Sequence, residues 1–467
     1  MPTSDCALFH HAEKGILDSM RSVVRYRYRA YPTLPQRQHL ARTFGCARVV
    51  FNDALAAREH ARATGAPYPS TGQLSKDLIT AAKNTGERSW LAEVSVVVLQ
   101  QALAEADTAY RNFFDSLAGR RQGAKMGHPK FRSRRDNRQA VRFTNNARYK
   151  VHSIDRDTAV LTLPKTGDVR LAWSRDLPSD PTSVTIIKEA DGRYYASFVV
   201  TVDDPPAAPA DAVCGIDLGQ KTFAVITTRT PDGAEHTTEI VNPRFLRRKA
   251  RALARSQRNL SRKKKGSANR AKAVTKVAVH HRKVREARLD HAHHTARRII
   301  DTHQVIAVEN LAVSAMAKAG ATGARGRGNR RSVHDTGLGQ FLTILKSKAD
   351  RAGRTLITVG RWYSSTRTCF NCQAKTGPKG QTELSIRNWT CRECGVQHNR
   401  DVNAARNILA EGLRLKHLAE QVAEGHSETQ NGCGGKVRPG LVPAPLETQA
   451  HLEEPVTDTV PHQPHAA

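Results

Sequence analysis

No stretch of this sequence stays apolar long enough to span a bilayer. The first 20 residues, with Asp5, His10, His11, Glu13 and Asp18, also lack the apolar core of a signal peptide. No membrane association is expected, and a cytosolic location follows. Acid is scarce: 43 Asp+Glu against 74 Lys+Arg leave a formal net charge of +31 and a pI near 10.3. An excess spread over most of 467 residues implies a polyanionic partner held along an extended groove. Paired cysteine is missing too. Of eight cysteines, Cys6, Cys46, Cys214 and Cys433 are scattered without a pairing pattern, as reduced thiols inside a cell would be, and the other four form one compact set. The length suffices for about two to four domains, each with a sizeable core.

The few acids are placed informatively. Ala212–Val213–Cys214–Gly215–Ile216–Asp217–Leu218–Gly219 carries an Asp at the end of an apolar run, and a second run, Phe223–Ala224–Val225–Ile226, follows a turn at Gly219–Gln220–Lys221. This pattern predicts a hairpin of a buried sheet. A second strand-like run, residues 304–311, ends in Glu309, and Asp401 opens a helix whose apolar face is Ala404, Ala405, Ile408 and Leu409. A buried carboxylate is costly unless paired, and a cluster of them suits a divalent cation. Strand-end Asp217, strand-end Glu309 and helix-start Asp401 are the set an RNase H-like nuclease needs to hold two Mg²⁺ ions, roughly 3.5–4 Å apart, for phosphodiester hydrolysis.

Along the chain, Val24, Tyr26, Tyr28 and Ala30 alternate with Arg25, Arg27 and Arg29, a half-buried strand with a basic face. Thr33–Leu34–Pro35–Gln36 is a capping box that starts a helix through Leu40, Phe44, Ala47 and Phe51. A structural pair and a nucleic-acid-binding surface are both open readings of this segment. Leu99, Leu103, Ala106, Tyr110, Phe113 and Leu117 make a core-facing helical stripe over 96–118. Residues 120–135 form a basic, Gly-bearing loop which, with aromatics including Phe143, suits backbone contact plus base stacking. Short β-prone runs at 160–163, 169–173, 184–187 and 194–202, with an Asp191–Gly192 turn, predict a small barrel that the strand near Val24 completes. Pro-rich 203–210 is the clearest linker. Residues 244–298 are overwhelmingly basic and predict two helices broken near Gly266–Ser267, whose binding is steeply salt dependent. A Gly-rich basic loop is expected over 319–331, then a helix through Leu338, Phe341, Leu342, Leu345 and Ala349 and a strand at 355–359.

Cys369-x2-Cys372 and Cys391-x2-Cys394, 18 residues apart, match a four-cysteine zinc ribbon in which the ion supplies folding energy. A disulfide pair is the alternative, disfavoured in a reducing compartment.

Taken together, Gly215–Ile216–Asp217–Leu218–Gly219, Val308–Glu309–Asn310–Leu311, Trp362–Tyr363–Ser364–Ser365, Trp389 and Arg400–Asp401–Val402–Asn403–Ala404–Ala405 resemble the TnpB (OrfB) family of insertion-sequence proteins, relatives of the compact type V CRISPR effectors. Tyr31–Pro32–Thr33 and Phe44–Gly45–Cys46–Ala47–Arg48 extend the resemblance over roughly residues 20–440. It implies a transposon-encoded, RNA-guided DNA endonuclease with a RuvC-type domain, a guide RNA from the transposon end and a short adjacent motif read by the N-terminal half. It also implies a transposase partner encoded in the same element. Asp217, Glu309 and Asp401 match the family's catalytic, Mg²⁺-binding positions; Cys369, Cys372, Cys391 and Cys394 match its Zn²⁺ ligands. Many members carry Asp where this chain has Asn399, which is expected to matter less than Asp401.

The expected fold is α/β and multi-domain. A leader at 1–19, with Met20 as the alternative start, precedes a small β-barrel with a helical insertion at 20–202 and a linker at 203–211. An RNase H-like (RuvC) nuclease domain at 212–362 contains inserted basic helices at 244–298. It is followed by the zinc ribbon at 363–397, the last nuclease motif at 398–412 and a mostly disordered tail at 413–467. Two other functions stay open at this level: strand transfer by a transposase, and a catalytically silent nucleic-acid-binding regulator, which the presence of all three carboxylates disfavours.

Overall fold

The computed structural model describes residues 21–428 apart from 122, 137, 204–207, 319–322, 380–382 and 384. The expected leader, the centre of the linker and the tail beyond 428 lie outside the described residues. Strand β1 (Arg21–Tyr31) turns Tyr28 and Ala30 fully inward and keeps Arg25 and Arg27 exposed. Helix α1 (Leu34–Thr64) begins at Thr33, whose N–H donates to the Gln36 side chain at 2.9 Å, and stops at Gly65 in the left-handed region. Helix α2 (Val96–Leu117) buries Leu99, Leu103, Ala106 and Tyr110. Strands β2 (Gln139–Thr144), β3 (Lys150–Ser153), β4 (Thr158–Leu163), β5 (Gly167–Ala172), β6 (Ser183–Lys188) and β7 (Tyr194–Asp203) join β1 in one sheet.

Its strand order, β2-β6-β7-β1-β5-β4-β3, leaves β2 and β3 as edges among the described residues, so the expected barrel is instead an open half-barrel. The physical reason lies in the core. Leu40, Val50, Leu55, Leu99 and Leu103 of α1 and α2 share one apolar cluster with Tyr28, Phe143, Leu161 and Phe198 of the sheet. Two helices fill the concave side, where a closed barrel would have only its own side chains. Phe143, expected to stack on bases, is 1% exposed and belongs to that core.

The second sheet is mixed, in the order β10-β9-β8-β11-β12: β8 (Ala212–Leu218), β9 (Thr222–Arg229), β10 (Glu235–Val241), β11 (His303–Glu309) and β12 (Thr355–Val359). β8, β9 and β10 pair antiparallel, and β11 lies parallel to both β8 and β12. Between β10 and β11 run α3 (Phe245–Ser261) and α4 (Ala268–Thr302), separated where expected, with Gly266 left-handed and the Ser267 hydroxyl accepting the Arg270 N–H at 3.2 Å. The last turns of α4 serve the core: Ala292, Ala296, Ile299 and Ile300 pack with Leu338, Phe341, Leu345 and Ala349 of α6 (Leu338–Arg351) against one face of the sheet.

From Ala324 the expected glycine-rich loop is helical, α5 (Ala324–Thr336). Tertiary anchoring overrides its glycines. Val333 is buried, and the buried Asp335 carboxylate accepts the N–H groups of Leu246 and Arg247 at 2.8 and 3.1 Å, capping α3 from outside. The opposite face of the sheet receives α7 (Arg400–Glu428), entered from the hairpin β13 (Asn388–Thr390) and β14 (Gln397–Asn399). Residues from His417 onward form a unit of their own. No helix among the described residues is long and apolar enough to cross a membrane.

Candidate active site and metal centre

The acids are drawn to one end of the sheet by a seat built from small residues. Gly215 of β8 and Ala307 of β11 are register partners in the parallel pair. A Cβ on Gly215 would lie 2.2 Å from the Ala405 carbonyl oxygen and 2.5 Å from the Leu409 nitrogen, and one on Gly412 would lie 2.4 Å from Ala307 Cβ. Helix α7 therefore rests directly on the backbones of β8 and β11. Side chains two residues apart in a strand share a face. Asp217 and Glu309, each two residues beyond the seat, thus stand side by side on the α7 side at the strand ends. In α7, positions 401, 405, 408 and 412 follow one helical face, so the helix that fits this seat carries Asp401 to the same lip.

Electrostatics register their proximity. The Asp217 carboxyl is pushed up to about 7, first by burial and then by the charges of Asp401 and Glu309, against the opposing Arg400 and Arg387. Burial likewise raises Glu309. The Asp401 oxygens each accept from Arg387 Nη1, at 2.7 and 2.6 Å. Asn399, set aside in the sequence, caps this helix: its Oδ1 accepts the N–H groups of Asp401 and Val402 at 3.0 and 3.2 Å.

Among the described residues, only the four cysteines bring three or more His, Cys, Asp or Glu ligand atoms within 4.8 Å of one another. The three acids share a field without that convergence. Cys369 and Cys394 sulfurs lie 3.7 Å apart, Cys372 and Cys391 3.6 Å. A tetrahedral ion with Zn–S bonds of about 2.3 Å asks for sulfurs about 3.8 Å apart, so the set fits zinc. Its surroundings fit too. His398 Nε2 lies 3.0 Å from the Cys369 sulfur, and the Thr376 hydroxyl, 3.2 Å from Cys391, leads the interactions that hold that thiol down at about 6. The Trp389 ring leans on His398, its cross-strand partner, with centroids 4.8 Å apart.

Sequence reasoning missed Arg387, Asn403 and Asn407. The signal for the two asparagines was their i, i+4 spacing beside an otherwise alanine-rich face; Arg387 left none. On the N-terminal sheet, guanidinium groups and rings alternate. Arg170 and Arg29 flank Tyr31 at 5.5 and 5.4 Å, and Arg29 and Arg27 lie over Tyr195 at 5.2 and 3.8 Å. The basic loop over 120–135 is tied down at Arg132, whose backbone is clasped both ways by the Asn52 amide and whose guanidinium lies over Phe51 at 3.7 Å.

Three family models match the chain: one described as "Helix-turn-helix domain" at residues 20–66, "Probable transposase" at 197–320 and "Cas12f1-like, TNB domain" at 339–408. A protein of Streptomyces pristinaespiralis named "Putative RNA-guided DNA endonuclease" is 35% identical over 88% of this chain and 95% of its own length. InsQ of Escherichia coli K12, under the same name, is 30% identical over 87% and 96%. Among solved structures, the Cas12f1 chain of a complex with sgRNA and target DNA superposes with a TM-score of 0.51 at 13% identity, covering 86% of each chain, a likeness of fold.

Proposed function

The chain belongs to the OrfB (TnpB) family of insertion-sequence proteins, and from that premise we propose that it is an RNA-guided DNA endonuclease with an RNase H-like (RuvC) active site formed by Asp217, Glu309 and Asp401. The observation that carries this reading is the seating of α7 on Gly215 and Ala307, which brings acids from two parallel strand ends and one helix start to a common lip. The names of its relatives support the guided, DNA-cutting part of it. In this reading the nuclease domain comprises 212–362 and 398–412, interrupted by the ribbon at 363–397, and 20–202 reads the adjacent motif.

Asp217, Glu309 and Asp401 would hold Mg²⁺, which supplies an activated water and charge stabilisation at the leaving oxygen. A carboxylate destabilised first by burial and then by two neighbouring acids is suited to a divalent cation, whose charge would offset both. Glu309, at the end of β11, would complete the set and orient the attacking water. Cys369, Cys372, Cys391 and Cys394 would hold Zn²⁺ as a structural ion. The Arg–Tyr ladder and the basic α3–α4 pair hold RNA and DNA backbones, while base pairing with the guide reads the target.

The test is to purify the protein from cells carrying its native locus, sequence the RNA that accompanies it, and assay Mg²⁺-dependent cleavage of a matching target. A discrete RNA ending at the element boundary, with cleavage lost in Asp217→Ala and nucleic-acid binding kept, is expected. No discrete RNA, or joined strands as product, would move the assignment to strand transfer or regulation.

A further inference from the structure

The cysteine cluster and α7 are bound together by two buried side chains. Asn403 and Asn407 of α7 are each 1% exposed. Both aim their amide nitrogens at the same two carbonyls. Asn403 Nδ2 donates to Ser365 O at 3.3 Å and Thr368 O at 2.8 Å, and Asn407 Nδ2 to the same oxygens at 2.8 and 2.7 Å. Asn403 Oδ1 accepts the Phe370 N–H at 3.0 Å. Cys369 sits between Thr368 and Phe370, so the first knuckle is held to α7 on both sides of its first ligand. Asn407 Oδ1 has no partner and is buried, so this amide is kept for what it donates.

The second knuckle reaches the same helix covalently. Cys391 and Cys394 lie in the β13–β14 turn region, the pair Asn388–Asn399 closes the hairpin, and Asn399 caps the turn that presents Asp401. Both halves of the cysteine cluster are thus fastened within two turns of α7, with Asp401 at the junction. We propose that Asn403 and Asn407 are positioning residues that couple the cysteine cluster to Asp401, so that zinc held by the ribbon and a divalent cation held by the acids stabilise each other. This rests on reading Asp217, Glu309 and Asp401 as a metal site.

The full-length, zinc-loaded protein tests it without nucleic acid. In the wild type, saturating Mg²⁺ slows zinc release to a zinc-selective chelator several-fold, and an unchanged release rate overturns the coupling. Asn403→Ala and Asn407→Asp, which keeps the shape but not the donors, retain one zinc per chain yet bind Mn²⁺ about tenfold more weakly by paramagnetic resonance, the scale seen when outer-shell partners are lost. Their zinc release no longer responds to Mg²⁺. Variants that only melt earlier, with Mn²⁺ affinity and the Mg²⁺ response intact, refute the positioning role. Asp217→Asn separates the two levels: if it binds Mn²⁺ like the wild type, the metal-site reading itself fails.

Discussion

One nitrogen of Arg387, in the ribbon, bridges both oxygens of Asp401 on α7, at 2.7 and 2.6 Å. The pair is largely buried, with side chains 29% and 15% exposed. In the proposed metal site, the Asp401 oxygens that would face the cation are thus already engaged by a cation that belongs to the protein. A charge-assisted hydrogen bond of this kind contributes about 1.5–3 kcal/mol. Arg387→Gln is accordingly expected to bind Mn²⁺ about tenfold more tightly in the free protein, as read by calorimetry. Equal or weaker binding would mean that the arginine orders Asp401 instead of competing for it.

Gly215→Ala is expected to be the most damaging small substitution in the second sheet. Its methyl group meets backbone atoms of Ala405 and Leu409, which no rotamer change relieves. Overpacking of this kind costs about 1–3 kcal/mol or more. Thermal unfolding should show that loss, and cleavage should fall with it because α7 carries Asp401. A variant as stable and active as the wild type would contradict the seat.

In the metal-free protein Asp217 should contribute less stability as pH rises. Asp217 has an ordinary value of 3.8 and a folded value of about 7, so between these limits the folded state keeps a proton that the unfolded chain has released. The Asp217 contribution to stability is fullest below about 4 and is lost as pH rises through about 7. Denaturant titrations at pH 4.5 and 7.5 should show the decline in the wild type and a smaller one in Asp217→Asn. The same slope in both assigns it to other groups.

Stripping the cysteine cluster should free more than the ribbon. Structural zinc supplies on the order of 10 kcal/mol of local folding energy. After chelation, or in Cys391→Ser, protease is expected to cut within 363–397, and α7 should lose its hydrogen-exchange protection near Asp401 while the N-terminal sheet keeps its own. Protection of α7 that survives zinc loss would show that its seat on Gly215 is sufficient.

Much of this was legible locally. The Cys-x2-Cys spacing, the Thr33 capping box, the Asp191–Gly192 turn and the acids at the ends of apolar runs depend on residues a few positions apart, and local geometry enforces them. Helix α7 showed its buried face as Ala404, Ala405, Ile408 and Leu409, all 0% exposed. What pattern alone misread depended on distant partners. The half-barrel stayed open because two helices occupy its hollow, and the glycine-bearing segment from Ala324 is helical because Asp335 anchors it to α3. Gly215 reads as an ordinary interruption of a strand until α7, nearly 190 residues later in the chain, is laid across it.

The sequence by itself determined which chemistry was on offer: a basic excess suited to a polyanion, a four-cysteine site, and three acids each at the edge of a regular element. Tertiary structure alone decided that the acids share a lip, that Arg387 holds one of them, and that Asn403 and Asn407 tie the ribbon to the helix. Parallel register and helix-on-backbone contact set those relations between residues far apart in the chain, and no periodicity within either segment encodes the distance between them.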